Sequence, residues 1–338
     1  MIDKTNRTHF IITNQLIKRR QNNLDLYPLD ENDLTTNGER THIPIKVIDE
    51  LYILKKCIID TETLAFLADN NIVVHFFSRN QRHIGNFFPN SSNSVNKSGF
   101  ALIQQLRAFD SMGHRLHIAK QITKGHILNM AANLRAYKVQ NDFEQTIKIL
   151  EHQSNIQELM GVEGSCKKEY YGLWNFIIKN QKSFKFIKRS RRPPADKINV
   201  LISYFNSRVY NICLCEIYKT ELDPRISFLH EPNFRSLSLH LDIAEIFKPI
   251  FDRVLFSILN KKMIKDSDFT KTNGLWSLSP NGIKTIELEI IKRLSKTENI
   301  NGMELNLRYI ILKEINKIKK CILEYCEYEP YTHENRLA

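Results

Sequence analysis

The sequence lacks the short motifs that mark several large enzyme classes. It contains no H-E-x-x-H pair, no Walker A loop, no G-x-G-x-x-G turn and no G-x-S-x-G elbow. Each of these motifs carries a defined chemistry, so their absence argues against zincin proteases, P-loop NTPases and dinucleotide-dependent enzymes. It also argues against hydrolases that use a nucleophile elbow.

Cysteine and long apolar runs are scarce as well. Six cysteines occur in 338 residues, and none forms a C-x-x-C pair. This usage favours a reduced intracellular protein over a disulfide framework. No apolar run approaches the roughly 20 residues of a membrane span, and the first residues do not resemble a signal peptide. We therefore expect a cytoplasmic protein that does not enter a membrane.

Acidic residues are too few to balance the basic ones. The chain has 37 Asp and Glu against 49 Lys and Arg, a formal net charge of +12. Such an excess favours a polyanionic partner, and we rank nucleic acid ahead of an acidic membrane surface. The length of 338 residues suggests two domains.

The hydrophobic pattern changes along the chain and predicts an α+β protein. Residues 1–90 contain short alternating or buried runs, which indicate a small N-terminal mostly-β domain. Residues 91–98, rich in Asn and Ser, are predicted to be a linker. Residues 99–338 follow 3- and 4-residue spacing, which predicts a larger all-α C-terminal domain. Within it we predict a helix over 143–160 and a frayed tail over 328–338.

Two carboxylates in the C-terminal domain indicate a metal site. Asp242 and Glu245 lie three residues apart in a run with helical periodicity, so both fall on one helix face. Their mutual repulsion would be relieved by a divalent cation, whose shell Glu163 and His230 can complete. Oxygen and imidazole donors without a thiolate favour Mg²⁺ or Mn²⁺ over structural zinc.

Each of these residues also has a plainer interpretation, which local sequence leaves open. Glu163 fits a helix cap about as well as a ligand, and His230 fits an ordinary loop histidine. Asp242 can cap the helix that it opens. Glu245 can pair with Lys248 on the helix surface.

A basic run between the first carboxylate and the histidine is a candidate DNA contact. Phe184 and Phe186 alternate with lysines there, and two prolines follow the run. A phosphate-binding loop and a solvated loop are equally compatible with this pattern. The basic residues of the run are Lys182, Lys185, Lys188, Arg189, Arg191 and Arg192.

Taken together, the motifs resemble those of the CRISPR-associated integrase, family one. The resemblance lies in Glu158-Leu-Met-Gly-Val-Glu-Gly164, Phe228-Leu-His-Glu-Pro232 and Leu239-His-Leu-Asp-Ile-Ala-Glu-Ile-Phe-Lys-Pro249. It implies a β domain followed by a helical domain, a homodimer, and a metal-dependent DNA endonuclease and integrase. By motif, the implied metal ligands and catalytic residues are Glu163, His230 and Glu245, with Asp242 as a nearby carboxylate.

The resemblance further implies phosphoryl transfer, in which a 3′-hydroxyl attacks a DNA phosphodiester and a new spacer enters a CRISPR array. The implied partners are double-stranded DNA (protospacer and repeat) and a small ferredoxin-like CRISPR-associated subunit. Lys248, a further expected DNA contact, stands where the family usually has arginine, so a bidentate phosphate contact is lost. Two alternatives are a catalytically silent DNA-binding scaffold and a branched-DNA repair nuclease.

Overall fold

A computed structural model describes residues 8–30, 35, 36, 38–78, 83–89, 99–179, 181–232, 237–300 and 302–333. The chain divides into two units, residues 1–94 and 95–338. The predicted linker, residues 91–98, lies outside the described residues.

Among its described residues, the smaller unit contains two four-stranded sheets, one α-helix and a short 3-10 helix (Ile45–Val47). The first sheet has the order β1-β5-β7-β8, and the second has the order β4-β3-β2-β6. In the first sheet β1, β5 and β7 run parallel, and β8 returns antiparallel to β7. The elements are β1 (Thr8–Ile11), β2 (Gln15–Arg20), β3 (Asn23–Pro28), β4 (Thr41–Pro44), β5 (Glu50–Ile53), β6 (Cys57–Ile59), α1 (Thr61–Asp69), β7 (Val73–Phe77) and β8 (His83–Phe87).

Apolar side chains from both sheets share one core in this unit. Ile17 and Leu24 of the second sheet and Leu51 and Val74 of the first are fully buried in one cluster. The period-two pattern of the sequence places these side chains on the inner faces. The strand-rich N-terminal region predicted from the sequence is thus confirmed.

The larger unit is mainly helical. No helix in the part of the chain that the structure describes is both long and apolar enough to cross a bilayer. Its helices are α2 (Gly99–Asp110), α3 (Met112–Ala136), α4 (Phe143–Glu151), α5 (Ile156–Ile177), α6 (Gln181–Phe184), α7 (Lys197–Ile217), α8 (Leu239–Asn260), α9 (Pro280–Ser295) and α10 (Leu307–Glu324). Two hairpins accompany them, β9 (Phe269–Thr272) with β10 (Leu275–Leu278) and β11 (Thr297–Ile300) with β12 (Met303–Asn306).

Helix α8 runs through the core, and α3 is fastened along it. Pro249 lies inside α8 and has no N–H group, so the backbone ladder is interrupted there. Near this proline, two asparagines of α3 donate to α8 carbonyls: Asn129 to Ile246 at 2.9 Å and Asn133 to Pro249 at 2.6 Å. These bonds between buried groups fasten the two helices in one register.

The largest departure from the sequence prediction concerns the residues around Glu163. The predicted helix over 143–160 is two helices, α4 and α5, and α5 continues through Gly161 and Gly164. Each glycine disfavours a helix interior by about 1 kcal/mol. Burial of Leu159 and Tyr170 on the inner face of α5 outweighs that penalty. Glu163 therefore lies in mid-helix and does not cap one.

The last described residues are also ordered, contrary to the predicted frayed tail. Residues 328–333, named here the C-terminal strap, pack against α3, α8 and α10. Tyr331 stacks on Phe247 with ring centroids 5.6 Å apart, and its backbone carbonyl accepts from Asn129 at 3.1 Å. A Cβ added to Gly125 would lie only 2.7 Å from Pro330, so the strap can approach α3 only because residue 125 is glycine. The hairpins β9–β10 and β11–β12 were not predicted either.

Candidate metal centre

Asp242 organises the loop that carries His230. In the first turn of α8, its carboxylate is fully buried and accepts four hydrogen bonds. Oδ2 accepts from the backbone N–H groups of Phe228 and Leu229 at 2.6 and 2.9 Å. Oδ1 accepts from the backbone N–H of His230 at 3.0 Å and contacts its Nδ1 at 2.7 Å. With Nδ1 held by Asp242, the Nε2 atom of His230 is the nitrogen left for other contacts.

Glu245, one turn later, faces four groups with its two oxygens. Oε1 lies 2.6 Å from Nζ of Lys248 and 3.9 Å from Nε2 of His230. Oε2 lies 3.0 Å from Nζ of Lys167 and 3.4 Å from Nδ1 of His126. The side chain is 2% exposed. Glu245 is therefore the centre of the cluster, with one histidine on each side.

Glu163 reaches the same place from α5. Its Oε1 lies 2.5 Å from Nζ of Lys167 and 3.5 Å from Nδ1 of His126. Lys167 is one turn after Glu163 on α5, and its ammonium lies within ion-pairing distance of both carboxylates. The structure thus brings Glu163, His230 and Glu245 into one cluster, as their motifs suggested, although they lie on three separate segments.

The cluster fits a divalent cation. In the larger unit, His126, Glu163 and Glu245 present ligand atoms that all lie within 4.8 Å of one another. The atoms concerned are His126 Nδ1, Glu163 Oε1 and Glu245 Oε2. All three are buried and make no hydrogen bond of good geometry to any residue that the structure describes. The two oxygens lie against the ammonium of Lys167, and a nitrogen with carboxylate oxygens is a donor set that suits Mn²⁺ or Mg²⁺.

The electrostatics keep both carboxylates ionised. Burial alone would raise the pKa of Glu245, but Lys167 and Lys248 hold it well below its ordinary value. For Glu163, burial and the charge of Glu245 also act to raise the pKa. His126 and Lys167 together lower it by more, so the pKa of Glu163 lies below its ordinary value. Two charged oxygen donors are therefore available near neutral pH.

The pKa values of the two histidines shift in opposite directions because their surroundings differ. Burial lowers the pKa of His126, which favours the neutral ring with a free lone pair. Burial also acts to lower the pKa of His230, but the hydrogen bond to Asp242 and the charges of Asp242 and Glu245 together outweigh it, and the pKa is raised. Asp242 thus both orients His230 and increases its basicity.

The basic run forms an extended segment beside α7, and its residues do not act alike. Phe184 and Phe186 are buried, whereas the lysines between and after them point outwards. Arg189 turns inwards and donates to Asn199 Oδ1 at 2.9 Å and Ser203 Oγ at 3.1 Å. The side chain of Lys182 lies outside the described atoms. The exposed cations of the run are Lys185, Lys188, Arg191 and Arg192.

Lys248 is buried beside Glu245. Its side chain is 9% exposed, its Nζ contacts Glu245, and it sits 4.8 Å above the ring of Tyr210. The alternative that Glu245 and Lys248 form an ordinary pair on the helix surface is therefore wrong, because both residues are buried.

Sequence reasoning missed two members of the cluster, His126 and Lys167. A signal for His126 was present in α3: it forms a polar row with Asn129 and Asn133, at positions i, i+3 and i+7. Polar residues in a row on an otherwise apolar helix indicate a buried polar contact. Lys167 follows Glu163 by four residues, the spacing of a helical ion pair, but the predicted break at Gly161 concealed it.

Asp252 provides a pH test of this buried region. Burial raises the pKa of its carboxyl from 3.8 to about 7. The folded protein then binds a proton between these values and the unfolded chain does not, so the free energy of unfolding falls as pH rises through this window. We expect Asp252→Asn to be more stable than the wild type near pH 8 by up to about 4 kcal/mol, with the difference shrinking near pH 5.

Thermal melts of both proteins at the two pH values measure this difference. Asp142→Asn, which changes an exposed carboxylate, serves as the control and should show no such pH dependence. A constant offset between Asp252→Asn and the wild type at all pH values would contradict the assignment.

Comparison with known proteins places these features in one family. A family model described as CRISPR associated protein Cas1 matches residues 10–291. The CRISPR-associated endonuclease Cas1 of Clostridium perfringens is 36% identical over 333 residues, covering 96% of this chain and 98% of that protein.

Solved structures share the whole fold. A CAS1 protein from Thermotoga maritima superposes with a TM-score of 0.83 at 30% identity and covers 97% of this chain and 100% of its own. A casposase bound to an integration product superposes with a TM-score of 0.85 at 21% identity, covering 97% of this chain and 94% of its own. At 21% identity, the similarity to the casposase shows a shared fold and nothing more.

Proposed function

The chain belongs to the CRISPR-associated protein Cas1 family, and from that premise we propose that it is a divalent-metal-dependent DNA endonuclease and integrase. In this role it inserts new spacers into CRISPR arrays by attack of a DNA 3′-hydroxyl on a phosphodiester. The observation that carries the proposal is the buried cluster at Glu163 and Glu245, with a histidine on either side. A silent DNA-binding scaffold would leave this arrangement without a purpose.

We assign Glu163, Glu245 and Nε2 of His230 as the residues that hold the ion. His230 is the more exposed histidine, with 26% of its side chain accessible against 4% for His126, so it lies on the side that DNA can reach. Asp242 takes the part of a positioning residue, because its oxygens are engaged by the His230 loop. His126 supports both carboxylates from the buried side.

The bound ion supplies Lewis-acid stabilisation of the charge that develops on the phosphate. The protein contributes the two preorganised carboxylates, and the buried ring of His126 lies beside them on the side away from solvent. Lys248, held beside Glu245, adds a fixed positive charge at the same place. Electrostatic stabilisation is strongest when the stabilising groups are fixed before the reaction, as burial and hydrogen bonding favour for these groups.

The exposed cations of the basic run are proposed to follow the DNA backbone. Lys185, Lys188, Arg191 and Arg192 contact phosphates and carry no base specificity in this scheme. Arg189 instead fixes the segment to α7. Double-stranded DNA, a second copy of the chain and a small ferredoxin-like CRISPR-associated subunit are the proposed partners, and a cytoplasmic location stays a prediction.

Removal of the metal tests the function most directly. With a duplex that bears free 3′-hydroxyls and a plasmid that carries a repeat array, we expect joined products in Mn²⁺ and none in EDTA, with recovery when Mn²⁺ is restored. Joining that persists in EDTA would contradict metal dependence. Mn²⁺-independent binding with no products would favour the scaffold, and cleavage of branched DNA without joining would favour a repair nuclease.

A further inference from the structure

The ammonium of Lys167 contacts the two carboxylate oxygens that a metal ion would bind. Its Nζ is 2.5 Å from Oε1 of Glu163 and 3.0 Å from Oε2 of Glu245. These are the two oxygens that cluster with His126 Nδ1. The ammonium thus bridges both carboxylates. A divalent cation binds carboxylate oxygen at about 2.1 Å, so the cation and the ammonium compete for one place.

The charges of the cluster are already balanced by protein groups. The two carboxylates of Glu163 and Glu245 face two ammonium groups, because Lys248 lies 2.6 Å from the second oxygen of Glu245. Asp242 is engaged with His230, 2.7 Å from its ring nitrogen. A divalent cation therefore adds two positive charges that no described group of the cluster offsets. A DNA phosphate brings negative charge to the same place.

Lys167 has the most accessible side chain of the three. It is 20% exposed, while those of Glu163 and Glu245 are 8% and 2% exposed. The ammonium ends a flexible four-carbon stem, whose rotations can carry it away from the carboxylates. Displaced outwards, it becomes a donor for a phosphate that arrives from solvent.

We propose that Lys167 acts as an internal counter-cation that makes metal loading depend on DNA. In this scheme the ion and a DNA phosphate bind together: the ion takes the carboxylates and Lys167 transfers to the phosphate. Metal and DNA then raise each other's affinity by the same factor. The inference rests on the proposed metal-dependent function and adds the coupling between metal binding and DNA binding.

Mn²⁺ binding, followed by electron paramagnetic resonance of the free ion, tests the proposal without any catalytic readout. The protein is titrated alone and with a short duplex, and uptake by the duplex itself is subtracted. For the wild type we expect DNA to tighten Mn²⁺ binding by at least about tenfold, equivalent to about 1.4 kcal/mol. Lys167→Met should bind Mn²⁺ without DNA at least about tenfold more tightly than the wild type, and DNA should add little further.

Lys168→Met is the matched control, because Lys168 is exposed, neighbours Lys167 on α5 and carries the same charge. It should behave like the wild type. If a thermal melt shows that Lys167→Met does not fold, the same Mn²⁺ titration is made with Lys167→Gln, which keeps hydrogen-bond donors but removes the charge.

Two outcomes overturn the inference in different ways. Mn²⁺ binding by the wild type that is equally tight with and without DNA, or unchanged in both Lys167 variants, would refute the counter-cation while leaving the metal-dependent function intact. Absence of Mn²⁺ binding in every protein, with DNA present, would refute the proposed function as well.

Discussion

Glu245→Gln is expected to reduce Mn²⁺-dependent cleavage and joining of DNA by about a thousandfold, the upper range for loss of one strong electrostatic contributor. Glu245 is the residue that both histidines and both lysines of the cluster face. Glutamine keeps the shape of the side chain but removes the charge that binds a cation. The rate of product formation at saturating Mn²⁺ measures the effect.

A series of variants locates the ion more closely. We expect Glu163→Gln and His230→Ala to lose activity to a similar extent, and His126→Ala to lose less, about 10- to 100-fold, as is usual for a residue that supports ligands. Glu169→Gln changes an exposed carboxylate on α5 and should retain full activity. A Glu245→Gln protein with more than a tenth of wild-type activity would remove Glu245 from the site, and a reversed order of the two histidines would make His126 the ligand.

Asp242→Asn is expected to lower the free energy of unfolding by about 3 kcal/mol. The amide replaces one acceptor oxygen by a donor, and either orientation then points a donor at backbone N–H groups of the 228–230 loop. Because the carboxylate is fully buried, water cannot relieve this conflict. Thermal or urea unfolding measures the loss, which corresponds to roughly 6–12 °C in melting temperature.

The same substitution should also release His230. Activity is expected to fall about 10- to 100-fold at temperatures where the variant stays folded. Asp142→Asn provides a control with an exposed carboxylate and should change neither quantity. Unchanged stability of Asp242→Asn would show that the loop is held by other contacts. A stable variant with full activity would show that orientation of His230 is unimportant.

The sequence predicted those parts of the fold that depend on local periodicity. Alternation in residues 9–28 and helical spacing over 198–218 and 239–259 each correspond to elements of the structure. Helix propensity at Gly161 and Gly164 pointed to a break that tertiary packing overrides. The hairpins were missed although each carries a local signal, an Asn-Gly pair between its strands (Asn273-Gly274 and Asn301-Gly302). The C-terminal strap was missed because its short segment is stabilised by distant partners.

The site was predictable only in part, for a related reason. The resemblance indicated Glu163, His230 and Glu245, and the structure brings them into one cluster. Spacing also suggested that Asp242 and Glu245 share one role. Their surroundings differ, because the loop backbone engages Asp242 in the first turn of α8, whereas residues of α3 and α5 contact Glu245 in the next turn. No local pattern in a single sequence reports which neighbours a helix turn will meet.

The C-terminal strap has a consequence for the time at which the site becomes complete. Asn129, three residues after His126, is bonded to the backbone of Tyr331 and His333, contacts that span 202 and 204 positions. Contacts so distant in sequence form late in folding, since a long loop must close first. During synthesis, the helix that carries His126 leaves the ribosome long before the C-terminal strap has been made. The centre is therefore expected to reach its final rigidity only after residue 333 has emerged, which would keep nascent chains inactive towards DNA.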